Sequence, residues 1–212
     1  MHLWQANLGR GVSSAVFEGN LVRILKAGGP RAVYAFQEID EADAPEEMDI
    51  LRRLTADTHT IVGGNTAVPI LVPHHIGLLD SWATPACKGL AKYTPNRVVN
   101  QALIELTPSL TALILNTHLP INRPQTLTRR REVRQTLRQQ ARNWDTGVWV
   151  ADTNTHVGWP RIAKGEKSVI NAGIDKSKAW GPKVTVSDRR TVALSIDGHD
   201  AHGARIRWER SA

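Results

Sequence analysis

Residues 111–118 read TALILNTH and residues 148–154 read VWVADTN, so that in each segment an apolar run ends in polar side chains. Short apolar runs rich in branched residues are typical of buried strands. The intervening residues 128–143 have the length and the apolar spacing of a helix. This part of the chain therefore predicts a strand, a helix and a second strand, with polar groups where each strand ends.

The remaining sequence alternates in the same way between short apolar runs and longer amphipathic segments, which is typical of a layered domain. Gly-Gly, Pro-His and Pro-Ser pairs separate runs between residues 60 and 116, and this favours antiparallel neighbours. Residues 158–171 are expected to form a loop. The pattern predicts one α+β domain, residues 1–212, in which two sheets pack face to face between helices. The predicted strands are 3–7, 32–37, 60–62, 68–72, 76–80, 97–105, 111–116, 148–151, 177–180, 191–194 and 204–208, and the predicted helices are 19–27, 48–54 and 128–143.

Length and composition exclude several classes of protein. With 212 residues, of which 41% are hydrophobic, the chain can bury a sizeable core. Its longest apolar runs are far shorter than the roughly 20 residues of a membrane-spanning helix, and the N-terminus lacks the features of a secretion signal. The single Cys87 permits no internal disulfide. We therefore expect a cytoplasmic protein without a membrane partner.

The chain is strongly basic, with a formal charge of +7 and a pI near 10.0. Such a charge favours polyanionic partners, although solubility alone explains many basic surfaces. The helix at residues 128–143 contains six arginines. Four of them share one side, which is either a contact for a phosphate backbone or the solvated outer face of the helix. These four are Arg131, Arg134, Arg138 and Arg142.

Polar side chains lie at the ends of several predicted strands. Each one taken alone is explained by the preference of Asn and Asp for turns. Together they supply carboxylate and amide oxygens that suit Mg²⁺ or Mn²⁺, and histidines that carry charge or protons near neutral pH. They are Asn7, Glu38, Asn116, His118, Asp152, Asn154, Asp175, Asp197, His199, Asp200 and His202.

The order of these motifs resembles the endonuclease/exonuclease/phosphatase superfamily, which includes pancreatic-type deoxyribonucleases and abasic-site endonucleases. The resemblance spans nearly the whole chain and implies a four-layer α/β/β/α sandwich of two mixed, mostly antiparallel sheets, with the active site at one edge. The motifs are WQANLGRG (4–11), AFQEID (35–40), LNTHLP (115–120), VADTNTH (150–156), NAGIDKSKAW (171–180) and SIDGHDAHGARIRW (195–208).

The resemblance also implies roles for individual residues. Glu38 would bind the catalytic metal with Asn7 beside it, and Asp197 is a further candidate ligand. Asp152 would orient or deprotonate the attacking water. His118 and Asn154 would contact the phosphate, and Asp175 would orient the last catalytic histidine. The candidate substrate contacts are Arg97, Asn116, Arg131 and Arg134.

The end of the chain departs from the family pattern. The family places Asp and His side by side, whereas this sequence has Asp197-Gly198-His199 followed by Asp200-Ala201-His202. His199 fits if Asp197 is its displaced neighbour, and His202 fits if Asp200 is. Both stay open as the catalytic histidine, with His199 preferred because a strand follows it as in the family.

These observations predict a Mg²⁺- or Mn²⁺-dependent phosphodiesterase that hydrolyses nucleic acid, DNA rather than RNA, by direct attack of water. No obligate protein partner is expected. Two alternatives stay open: a phosphatase or phosphodiesterase acting on a small or lipid phosphoester, and a degenerate domain that binds nucleic acid without turnover.

Overall fold

The computed structural model describes residues 1–9, 11–39, 45–91, 94–156, 161–196 and 199–209. Within these residues no helix is long and apolar enough to cross a membrane. The strands are β1 His2–Asn7, β2 Ala32–Gln37, β3 His59–Val62, β4 Ile70–Pro73, β5 Gly77–Cys87, β6 Arg97–Thr107, β7 Leu110–His118, β8 Gly147–Asp152, β9 Lys167–Ala172, β10 Asp175–Trp180, β11 Thr185–Ala193 and β12 Asp200–Arg207. The helices are α1 Ser14–Gly28, α2 Pro45–Thr55 and α3 Leu127–Ala141.

The strands form two six-stranded sheets. The first has the order β11-β12-β1-β2-β4-β3 and the second the order β5-β6-β7-β8-β10-β9. Only β1 with β2 and β7 with β8 are parallel among the described pairs, and each of these pairs is connected through a helix, α1 or α3. A parallel pair requires such a crossover, because the chain must return to the end of the sheet at which the first strand began. The predicted α+β class with mixed, mostly antiparallel sheets is confirmed.

Three apolar clusters separate four layers. One lies between the two sheets and includes Val33 and Ile114. A second, which includes Phe17, lies between the first sheet and the helices α1 and α2. The third lies between the second sheet and α3 and includes Val133 and Trp149. The helices thus cover the outer faces of the sheets, as the predicted sandwich requires.

The interior between the sheets changes from apolar to polar toward one edge. Because side chains two apart point to the same side of a strand, the row in β1 runs from Leu3 through Gln5 to Asn7. All three are buried. The rows in the neighbouring strands also end in polar groups: Val33-Ala35-Gln37, Ile104-Ala102-Asn100, Ile114-Asn116-His118, Val148-Val150-Asp152 and Ala179-Ser177-Asp175.

Buried amides in this region connect the two sheets. The Asn116 amide donates to the backbone oxygens of Phe36 at 2.7 Å and Pro69 at 3.0 Å, and its oxygen accepts from Gln37 at 2.7 Å. Asn100 donates in the same way to the Val62 oxygen at 2.9 Å. Buried polar groups are tolerated only when they are paired, so these bonds fix one sheet relative to the other.

The predicted loop at residues 158–171 is wrong at its C-terminal end. Residues Lys167–Ala172 form β9, which pairs antiparallel with β10. Only Val169 and Ile170 in it are buried, so the local pattern is too short to distinguish a strand from a loop. The polar, mostly exposed β11 was likewise predicted too short, at residues 191–194, because an edge strand carries little apolar signal.

Removing the amide of Asn116 should destabilise the whole domain. We expect Asn116→Ala to lower the free energy of unfolding by about 2–4 kcal/mol, because its partners on the other sheet lose their hydrogen bonds. Chemical denaturation measures this difference. The matched control is Asn122→Ala at an exposed position. Equal stability of the two variants would contradict the role of Asn116 as a connection between sheets.

Candidate active site

A cleft of about 240 Å³ opens at the polar edge of the sandwich. It lies where β1, β2, β7 and β8 end, and the last side chains of the rows in β1, β7 and β8 line it, namely Asn7, His118 and Asp152. Seven of the residues predicted from the sequence line this cleft. They are Asn7, Glu38, Arg97, His118, Asp152, Asn154 and His199.

Asp152 lies at the centre of this group and is only 1% exposed. Its Oδ2 accepts a hydrogen bond from the Asn7 amide at 2.9 Å, and its Oδ1 accepts one from the backbone N–H of Asn154 at 2.8 Å. Burial raises the pKa of Asp152 to about 6, and the charge of Asp175 acts in the same direction, whereas the hydrogen bond from Asn7 opposes the shift. Asp152 can therefore exchange a proton close to neutral pH.

Two residues beside Asp152 leave their strands through left-handed backbone. Glu38 has φ 65° and Asn154 has φ 49°, a region that side chains other than glycine seldom adopt. The resulting bend brings Glu38 Oε1 to 3.6 Å from His118 Nδ1. The Asn154 amide lies 2.9 Å from His118 Nε2 and donates to the Leu119 oxygen at 2.7 Å. The imidazole of His118 is thus held between Glu38 and Asn154.

Asp175 is the first residue of β10 and lies opposite Asp152 in the sheet register. Its Oδ1 accepts from Gln5 at 3.1 Å, and its Oδ2 lies 3.8 Å from His199 Nδ1. Asp175 is the main cause of a raised pKa of His199; burial opposes the shift, and the charges of Asp152 and Glu38 add to it. His199 is therefore favoured in its charged form at the wall of the cleft.

The structure separates the two histidines that the sequence left as alternatives. His202 lies on β12, its Nδ1 is 3.1 Å from Thr191 Oγ1, and burial lowers its pKa. It lines an adjoining cavity of about 350 Å³, next to Asp175 and His199, and is not among the residues that line the cleft around Asp152. The geometry favours His199 over His202 as the histidine of the site.

The described residues also contain a group able to hold a cation. The ligand atoms of Asp152, Asp175 and His199 all lie within 4.8 Å of one another. Of the metal ligands predicted from the sequence, Glu38 and Asn7 line the same cleft, and Asp197 falls outside the described residues. Carboxylate and amide oxygens are the ligands that hard divalent cations prefer, so the donor set fits such an ion.

No family model and no curated protein matches the sequence. Solved structures do match. A Bacteroides vulgatus endonuclease/exonuclease/phosphatase protein is similar with a TM-score of 0.77 at 13% identity, covering 98% of each chain. This chain has the endonuclease/exonuclease/phosphatase fold. D. rerio TDP2 complexed with a single-strand DNA product has a TM-score of 0.72 at 12% identity, covering 98% of each chain. The Bacteroides thetaiotaomicron mannosyl-6-phosphatase Bt3783 has 0.70 at 9%, covering 98% of this chain and 100% of the other.

Three of the predicted substrate contacts are not part of the cleft. Asn116, predicted as a substrate contact, is fully buried between the sheets and uses its amide for the bonds between them, so its side chain does not reach the cleft. Asn116 precedes His118, the last residue of β7, by two positions, so its side chain points between the sheets and not into the cleft. Arg131 and Arg134 lie on α3, which covers the outer face of the second sheet; Arg131 is exposed and Arg134 half-buried. Within the described chain, Arg97 is the predicted arginine that reaches the cleft.

Sequence reasoning missed Arg130, which is only 2% exposed. Its guanidinium donates to the backbone oxygen of Pro120 and, at 2.8 Å, to that of Thr153. Pro120 follows His118 by two residues, and Thr153 lies between Asp152 and Asn154. Arg130 therefore binds the backbone of both segments that carry these cleft residues. Burial lowers its pKa to about 10, with Arg134 acting in the same direction and Asp152 opposing.

A signal for Arg130 does exist in the sequence. It occupies the apolar side of α3, three residues before Val133 and seven before Leu137, where a charged side chain is out of place. Gln5 was missed in the same way. It interrupts the inward row of β1 and donates to Asp175 and to the Ala151 oxygen.

Replacing Arg130 should displace the backbone segments that position His118 and Asp152 in the cleft. We expect Arg130→Lys to lower the free energy of unfolding by about 1–3 kcal/mol and to shift the NMR signals of the His118 ring, because one ammonium cannot reproduce the planar fork of a guanidinium. The adjacent, exposed Arg131→Lys serves as the control. Unchanged His118 signals in both variants would argue against this positioning role.

Proposed function

We propose that this protein is a divalent-metal-dependent phosphodiesterase that hydrolyses nucleic acid, DNA in preference to RNA, by direct attack of water. The observation that carries the proposal is the buried carboxylate of Asp152, whose pKa is near 6 and which lies in one cleft with Glu38, His118 and Asn154. A base, a cation ligand and phosphate-binding donors are thereby brought together at a single point.

A phosphodiester reacts slowly because its anionic oxygens repel an incoming nucleophile. A bound Mg²⁺ or Mn²⁺ would neutralise part of that charge. Glu38, Asn7 and Asp152 line the cleft where such an ion would be held, and a carboxylate oxygen of Asp175 lies within 4.8 Å of one of Asp152. His199, favoured as a cation by Asp175, would supply a second positive charge at the wall of the cleft and would not be a ligand of the ion.

Asp152 is the candidate for the proton acceptor. The hydrogen bonds from Asn7 and from the Asn154 backbone fix both of its oxygens, so a water in the cleft meets a carboxylate of defined orientation. The proton of the attacking water passes to Asp152 as the new phosphorus–oxygen bond forms. His118 and Asn154 would contact the phosphate oxygens by exchanging the hydrogen bond between them for bonds to the phosphate, and the leaving oxygen departs as its bond to phosphorus breaks.

A nucleic-acid substrate has a specific competitor. The net charge of +7 and the structural similarity to TDP2 with a single-strand DNA product favour a nucleic acid. The similarity to a mannosyl-6-phosphatase favours a small phosphate monoester as the second candidate. A domain that binds nucleic acid without turnover is the third candidate, and it predicts affinity without hydrolysis.

Turnover should depend on both the cation and the carboxylates. We expect cleavage of single-stranded and plasmid DNA with Mg²⁺ or Mn²⁺, loss of cleavage with chelator, and a fall of about a hundredfold or more in Glu38→Gln and Asp152→Asn. Electrophoresis of cleaved DNA measures the rate, with RNA, a hexose 6-phosphate and a generic bis-phosphate ester as further substrates. Exposed Glu46→Gln and Asp57→Asn match these changes in charge and serve as controls.

Three results would count against the proposal. DNA cleavage that survives Glu38→Gln and Asp152→Asn would place the chemistry elsewhere. Turnover restricted to the hexose 6-phosphate would select the phosphatase. DNA binding without hydrolysis under any metal would leave the third candidate.

The two histidines should differ in their effect on rate. We expect His199→Asn to lower the rate of cleavage by about a hundredfold, because the cleft loses a cation oriented by Asp175. His202→Asn should change the rate far less, since that ring contacts Thr191 beyond the cleft. Steady-state kinetics on one DNA substrate compares the variants. A larger loss in His202→Asn would reverse the assignment.

A further inference from the structure

A second cleft, of about 630 Å³, lies between the ends of β5 and β6 and the first turns of α3. We call it the hairpin cleft. Three apolar residues and three cationic residues in its lining matter for its chemistry. The apolar residues are Pro85, Ala86 and Val98, and the cationic residues are Lys88, Arg97 and Arg129.

The hairpin cleft shares a lining residue with the candidate active site. Arg97, the first residue of β6, lines both cavities. A substrate that extends past Arg97 from a phosphate beside Asp152 would enter the hairpin cleft. The active-site cleft, at about 240 Å³, is smaller than the hairpin cleft, so most of an extended substrate must lie outside it.

The charge of the hairpin cleft favours an anionic occupant. Its described lining carries three cations and one acid, Glu132, so its formal charge is +2. Glu132 accepts two hydrogen bonds from Arg129, at 2.9 and 3.0 Å, and the exposed Lys88 is the cation placed to meet an incoming group. Cations near a phosphate backbone contribute affinity that falls with salt.

The apolar wall gives the hairpin cleft a second property. Pro85 is exposed, Val98 is half-buried, and both lie on strands that hold them rigidly beside the cations. A nucleotide combines these two chemistries, because its phosphate is anionic and the faces of its base are apolar. Cavities that bind small molecules range from roughly 300 to 1,000 Å³, so the volume suits one nucleotide.

We propose that the hairpin cleft is the subsite for the nucleotide next to the scissile phosphate. Its base packs against Pro85 and Val98, and Lys88 attracts the following phosphate. A base held there cannot remain in a duplex, so the substrate is an unpaired strand. The proposal rests on the proposed phosphodiesterase function and specifies its substrate class.

Chromogenic substrates test whether the nucleoside contributes. Thymidine 5′- and 3′-(p-nitrophenyl phosphate) share the scissile bond and leaving group of methyl p-nitrophenyl phosphate but carry a nucleoside in place of the methyl group. We expect kcat/KM of one nucleoside ester to exceed that of the methyl ester about tenfold, from stacking of the base. Val98→Phe fills the hairpin cleft and should bring this ratio toward one. Val186→Phe, half-buried on β11, should keep it.

Binding tests the charge independently of turnover. Fluorescence anisotropy with a single-stranded oligothymidylate, in chelator, should show a Kd about tenfold higher for Lys88→Glu than for Lys26→Glu, an exposed position on α1 with the same change in charge. Glu132→Gln should lower the Kd. A blunt duplex of equal length should bind more weakly than the single strand.

The outcomes separate the two proposals. Absence of hydrolysis of all three esters would overturn the proposed function, and the hairpin cleft would then be judged by binding alone. Hydrolysis with a nucleoside-to-methyl ratio that Val98→Phe does not lower would overturn the subsite while the function stands. Equal affinity of Lys88→Glu and Lys26→Glu, or tighter binding of the duplex, would also overturn it.

Discussion

The hydrogen bonds between buried amides at one edge of the sandwich are the constraint on which the site depends. Asn116 joins the second sheet to Phe36 and Pro69 of the first, and Gln5 joins the first sheet to Asp175 of the second. An apolar interface would tolerate small sliding movements, whereas a buried amide loses its partners if the sheets slide. Each catalytic candidate lies next to this layer, so the hydrogen bonds fix the distances across the cleft.

The same edge concentrates charge in a way that opposes folding. Asp152 and Asp175 are paired in the register of β8 and β10, and both are buried. Burial, with the charge of Asp175 acting in the same direction, raises the pKa of Asp152 to about 6. The left-handed backbone of Glu38 and Asn154 adds conformational strain. Compensation comes from the surrounding donors, from His199, and on our proposal from a bound cation.

Substrate choice depends on other parts of the fold. Proteins of similar fold at 9–13% identity include a mannosyl-6-phosphatase and a TDP2 with a DNA product, so the sandwich itself does not decide what is hydrolysed. In this chain the candidate catalytic groups are fixed by strand ends, while the hairpin cleft is formed by the end of β5, the start of β6 and α3. Arg97 lines both the candidate active site and the hairpin cleft. It is therefore the residue at which the candidate catalytic groups meet the surface proposed to select the substrate.

The sequence by itself determined the elements whose signal is local. Polar residues that directly follow apolar runs predicted Glu38, His118, Asp152 and Asn154 at one edge, because strand direction and side-chain alternation are fixed by the backbone. The order of these motifs also predicted the layered fold. The pairing of β9 with β10 was not predicted, since a strand with two buried residues is stabilised by its partner and not by its own pattern.

Only the tertiary structure decided which way the ambiguous polar groups face. Asn116 stands two residues before His118 in the same row, yet one joins the sheets and the other reaches the cleft. His199 faces Asp175 and His202 faces Thr191, a distinction that spacing along the chain does not contain. Arg130 looks like its five neighbouring arginines until α3 docks on the second sheet and buries it under the active-site segments. In each case the physical reason is the same, because the partner that assigns the role lies far away in sequence and meets the residue only when the layers pack.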